Sequence, residues 1–174
     1  MSLMKHAVFF TLSIGLCDAA LAAPDTLDDK KILNIVHSAN VGEIDAGKLA
    51  GSRARDERVK KFAAMMVEHH TDADKKGDDT AKQLKVELTP SPASQELDKS
   101  NATDAAKLKA APAGDFDRAY IDAQVQGHTK VLSMIDSQLI PNAKAPAVQK
   151  LLRDVRPTVA SHLDQAKSLK ASLK

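Results

Sequence analysis

The 174 residues carry 25 lysines and arginines against 23 aspartates and glutamates, a net charge of +2, with one cysteine, one tyrosine and no tryptophan. Charges this evenly balanced, without a row of aromatic rings on which bases could stack, exclude the footprint of a nucleic-acid binder. One cysteine excludes a disulfide framework.

Lys5 and His6 precede an apolar run from Ala7 to Cys17, and Ala20-Leu21-Ala22 supplies the small residues of a cleavage site. This pattern predicts a secretory signal peptide over residues 1–22. The run is shorter than a membrane span, and no later stretch approaches that length. Cleavage just before Cys17, as in a lipoprotein, would want a small residue where Leu16 stands. Cleavage after Ala22 leaves residues 23–174, enough for one domain with a single core, exported to the periplasm and without a thiol. Chemistry in it has to use oxygen, nitrogen or thioether groups.

The first predicted helix starts at Thr26, where Thr26-Leu-Asp-Asp29 resembles a capping box, and stops at Gly51-Ser52. Leu33, Val36, Asn40, Glu43, Gly47 and Ala50 share one stripe, so Glu43 falls on the buried face unless the helix is rotated to leave it at a solvated edge. The second helix runs from about Asp56 to Val86 with Val59, Phe62 or Ala63, Met66, His70, Ala73, Gly77 and Leu84 inside. His70 interrupts that stripe. His69, about 100° further round the helix, is expected in solvent, and Met66 reads as core filling.

Between Glu87 and Gly114 the pattern dissolves among Pro90, Pro92 and Pro112, predicting a long crossover with one short helix near Gln95 to Leu108. A third long helix starts near Asp115 or Asp117 and reaches Leu139, with Ile121, Val125, His128, Leu132, Ile135 and Leu139 on its stripe. Pro141 and Asn142 end it. The last helix begins at Pro146 and places Val148, Leu152, Val155, Val159, His162, Ala166 and Leu169 on one face. Pro157 inside it should free the carbonyl of Arg153 and kink the rod near His162. The expected fold is all-α, a four-helix bundle with a long crossover between the second and third helices.

One polar residue thus interrupts each apolar stripe, at Glu43, His70, His128 and His162. Counted from the short turn of each hairpin, the two interruptions are staggered by about five residues, roughly 7 Å along the axis. Because helical Cα–Cβ bonds tilt toward the N-terminus, each pair of side chains leans together. The four should therefore meet near the bundle's middle, where they must bond each other, water or a metal. Imidazole and carboxylate donors suit zinc, copper, nickel, manganese or iron, without a basis for choosing one divalent transition metal. Tyr120, two turns before His128, is expected to support such a site from behind its ligands. Di-iron bundles take Glu-x-x-His motifs, and none occurs here, so a mononuclear, histidine-rich centre fits better.

Glu43 with Gly47-Lys-Leu-Ala50, Phe62-Ala63 with Met66-Val67 and His70-Thr71, Phe116-Asp117 with Tyr120 and His128, and Pro157 with His162-Leu163 together resemble a known family. It is the bacterial, mostly exported, ferritin-like domain-of-unknown-function family forty-one forty-two, often labelled outer-membrane proteins. The resemblance implies a ferritin-like helical bundle outside the cytoplasm and favours His70 over His69 as the inward residue; it implies no activity. The outer-membrane label fits poorly with a chain lacking barrel-type strand patterning. Two functions compete. One is a periplasmic metal-binding bundle, with metal buffering, metal tolerance or redox protection as its purpose. The other is a non-enzymatic envelope bundle, structural or partner-binding, whose polar cluster only fixes helix register. No serine or cysteine nucleophile motif points to hydrolysis, so only a metal-activated water would allow it.

Overall fold

The computed structural model describes residues 26–173, and the signal peptide expected at residues 1–22 lies outside them. The helices are α1 (Asp29–Arg53), α2 (Glu57–Leu84), α3 (Pro92–Ala110), α4 (Phe116–Met134), the short α5 (Ile140–Asn142) and α6 (Pro146–Ser172). A π-helical turn, Ile135–Leu139, joins α4 to α5. No strand occurs among the described residues, and none of their helices is long and apolar enough to cross a membrane.

Local chemistry sets the helix ends. The cap of α1 is Asp28 rather than Thr26: its carboxylate accepts from the Lys31 backbone N–H at 3.0 Å. Ser91 and Ser94 form a reciprocal capping box, and Pro92 occupies the first turn, where its missing N–H costs nothing. The expected crossover is therefore a 19-residue helix, longer than the sequence suggested. Its face is weakly apolar, with Leu97 and Leu108 carrying most of its burial. At the end of α4, Pro141 cannot donate to the Ser137 carbonyl and crowds it. The turn before it opens to π spacing, with the Ile140 N–H bonded to the Ile135 carbonyl. The last helix, α6, continues through Pro157 to Ser172.

Contacts at the helix ends fix the topology. Arg53 at the end of α1 donates to the carbonyls of Leu108, Lys109 and Ala111 at the end of α3, so α1 and α3 run parallel. Asp117 in the first turn of α4 accepts from the backbone N–H groups of Arg55 and Asp56, which places the starts of α2 and α4 side by side. Asp29 accepts from the N–H groups of Lys144 and Ala145, bringing the starts of α1 and α6 together. Two antiparallel hairpins, α1/α2 and α4/α6, are thus linked by a helical crossover that leaves α2 parallel to α4. This is the bundle topology expected from the stripes.

The apolar interior is divided in two. One cluster gathers Ile32, Leu33, Ile35, Val36, Leu97, Ile135, Leu139, Val148, Leu152 and Val159. The other holds Ala50, Val59, Phe62, Ala63, Met66, Phe116, Tyr120, Ile121 and Ala166. Polar side chains occupy the level between them.

Candidate metal centre

His70 on α2, His128 on α4 and His162 on α6 meet at that level, exposed by only 7%, 2% and 1%. Helix register puts them there. Met66 and Ala166 pack in one apolar cluster, Val159 and Ile135 in the other, and each histidine lies one or two turns from such an anchor. The ring centroids form a nearly equilateral triangle, 5.6 Å from His70 to His128, 5.3 Å from His70 to His162 and 5.4 Å from His128 to His162. One ring nitrogen from each lies within 4.8 Å of the other two.

The outer nitrogens all have partners, and for His70 and His128 these determine the tautomer. His128 Nδ1 is 3.0 Å from the Gln124 carbonyl oxygen, which can only accept, so this nitrogen carries the proton. His70 Nδ1 faces Asn40 Oδ1 at 2.9 Å and donates in the same way. Each ring therefore keeps a lone pair on Nε2. His162 Nε2 is 2.9 Å from His69 Nδ1, and the two rings stack with centroids 5.2 Å apart. When His162 donates across this contact, its Nδ1 is the lone-pair nitrogen. His70 Nε2, His128 Nε2 and His162 Nδ1 are all buried without a hydrogen-bond partner.

Three unpartnered imidazole nitrogens in an apolar interior are a costly arrangement, and a cation that accepts all three lone pairs removes the cost. Burial pushes His70 well below the usual imidazole range, and the neighbouring His128, His162 and His69 push the same way. Burial, helped by His128 and His69, lowers His162 to about 3. Both rings are neutral near pH 7, the form in which imidazole ligates a metal. A proton acceptor or hydrogen-bonding group behind each ring is the usual support for such ligands.

Glu43 stands outside the triangle. Its Oε1 lies 3.6 Å from His128 Nδ1, the nitrogen already turned toward Gln124, and its Oε2 accepts from Gln124 Nε2 at 2.6 Å. The Glu43 side chain is 17% exposed and packs beside Gly127 of α4. Tyr120 is fully buried beneath this group with its hydroxyl unpartnered. Burial raises the phenol well above its ordinary value, and the Glu43 charge adds to the shift.

Of the five residues singled out in the sequence, the structure joins the three histidines into one cluster and sets Glu43 against His128. Sequence reasoning missed three others. His69, expected in solvent, is half-buried against His162. Gln124 is 2% exposed and takes the inward position expected of its neighbour Val125. Asn40 was visible on the α1 stripe but received no role. A signal existed for Gln124, which lies one turn before His128 and so shares its face.

A family model described as a domain of unknown function, DUF4142, matches residues 17–169. Among solved structures, a DUF305 fragment from Deinococcus radiodurans is similar, with a TM-score of 0.73 and 14% identity. The match covers 87% of this chain and 100% of that one. At that identity the likeness speaks for the helical fold alone. No curated protein matches the chain.

Proposed function

We propose that this chain, which belongs to the DUF4142 family of domains of unknown function, is an exported, periplasmic protein that binds a divalent transition metal through His70, His128 and His162. The observation that carries the reading is the triangle of buried, partnerless imidazole nitrogens. Neutral nitrogen donors suit zinc, copper, nickel and iron better than magnesium or calcium, which prefer oxygen. Asn40 and the Gln124 carbonyl hold His70 and His128 in the ligating tautomer, His69 can accept from His162 Nε2, and Glu43 lies behind His128. Tyr120 feels the charge of that carboxylate but makes no hydrogen bond to it, so its part in the site is to fill the interior beside it. Metal buffering or tolerance of metal and oxidative stress is the role such a site would serve in the periplasm.

The test is elemental analysis of protein recovered from the periplasm, followed by titration of wild type and His128→Ala with first-row ions. At a free metal concentration of 100 times Kd, binding should stabilise the wild type by about 2.7 kcal/mol, and the gain should vanish in the variant. Absence of bound metal, together with an unchanged melting temperature for every ion, would sink the proposal. Fractionation of cells expressing the full chain checks its location.

A second reading has one observation in its favour: each imidazole already has a protein partner on its outer nitrogen. On that reading the polar level is a network that fixes helix register. It requires that leucine at positions 70, 128 and 162 leave both folding and the cellular phenotype intact.

A further inference from the structure

A cavity of about 190 Å³ adjoins the triangle on the side of His70 and His162. Val36, Val131, Ile135 and Val159 give it apolar walls, while Asp72 and Lys76 on α2 and Asp154 and Thr158 on α6 line its more exposed part, with the Asp154 carboxylate held by Lys150. Its volume equals several water molecules at roughly 30 Å³ each. Asn40 also lines it, and this residue is 5% exposed with its Nδ2 unpartnered. The amide cannot turn round to relieve this. When His70 ligates through Nε2, its Nδ1–H needs the Asn40 oxygen, so the Asn40 N–H groups face elsewhere and require an acceptor.

Charge and coordination number point the same way. A divalent ion held by three neutral imidazoles keeps its full charge in an apolar interior, and the nitrogen group includes no carboxylate. Glu43 offsets part of that charge only from behind His128. A three-histidine set commonly leaves a further position for a small exogenous ligand.

We infer that the cavity is a binding site for a small anion, of one to three heavy atoms, that coordinates the metal's free position and accepts a hydrogen bond from Asn40 Nδ2. This rests on the metal-binding reading above. The anion enters between α2 and α6 past Thr158. The apolar walls exclude larger, strongly hydrated ions, which would have no partners there.

The experiment loads the mature protein with cobalt(II) and follows its visible spectrum during titration with sodium azide. Saturable band shifts are expected in the wild type. Asn40→Asp keeps an oxygen for His70 Nδ1 but replaces the donor by a negative charge; with the cobalt affinity of this variant measured separately and azide titrated at full cobalt occupancy, azide affinity should fall at least tenfold. Thr158→Phe narrows the cavity from its rim without touching the amide and should also weaken azide binding. Wild-type protein that takes no cobalt overturns this inference along with the metal reading. Cobalt loading with a spectrum indifferent to azide overturns the inference alone, as does azide binding of unchanged affinity in both variants.

Discussion

Lowering the pH of the metal-free protein from 7.5 to 5.0 should destabilise it through its buried imidazoles. In the unfolded chain a histidine titrates near 6.5, whereas folded His162 is held down at about 3. Between these values the unfolded state binds the additional proton, so stability is complete above pH 6.5 and is lost progressively toward pH 3. At pH 5 the difference for His162 alone amounts to about 2 kcal/mol, from 1.36 kcal/mol per unit over the roughly 1.5 units below 6.5. His70, also lowered, acts in the same direction. Against a typical stability of about 5–15 kcal/mol this is a large share, worth roughly 4–8 °C in melting temperature. The window is clean on the acid side. Asp56, held at about 2 by Arg58, and Asp79 and Asp136, lowered by Lys75 and Arg156, lose their contributions only below their ordinary value of 3.8. Urea unfolding of chelator-treated protein at several pH values between 7.5 and 5.0 measures the effect, with His162→Leu as the comparison. The variant should lose about 2 kcal/mol of the pH dependence. A wild-type curve that is flat across this range, or one identical to the variant's, would refute the assignment of neutral, buried rings.

Two further perturbations test the frame that positions the site. A Cβ at Gly47 would sit 2.8 Å from Val67 Cγ2 and 3.0 Å from the Ala63 carbonyl oxygen. Gly47→Ala should therefore force α1 and α2 apart and cost about 1–3 kcal/mol in chemical denaturation, whereas an unchanged midpoint would mean that the backbone yields freely. Arg53 binds three carbonyls at the end of α3 and lies 4.6 Å from the Phe116 ring. Arg53→Ala should destabilise the protein by roughly 2–4 kcal/mol and raise amide exchange first in the last turn of α3. Uniform exchange throughout the chain would contradict that local role.

The division of the interior explains why the site is rigid enough to keep unpaired nitrogens. Apolar packing above and below the histidines fixes all four bundle helices on both sides of the polar level. The same packing holds the Gln124 amide against Glu43, while the backbone carbonyl of Gln124 accepts from His128.

The sequence by itself determined the helix stripes, the two hairpins and the axial level at which His70, His128 and His162 meet. Those depend on local quantities: 3.6-residue periodicity, rise per residue and the fixed tilt of Cβ. Weak periodicity made α3 look shorter than it is, because its ends are secured by Ser91, Pro92 and the distant Arg53 rather than by a broad apolar face. Only the tertiary structure decided that Gln124 rather than Val125 turns inward, that His69 stacks on His162, and that Glu43 sits behind His128 rather than among the nitrogens. A rotation of some tens of degrees about a helix axis separates these outcomes, and that rotation is set by partners on other helices. For His70 and His128 the choice of ring nitrogen follows from it, since the oxygen behind each ring fixes its tautomer.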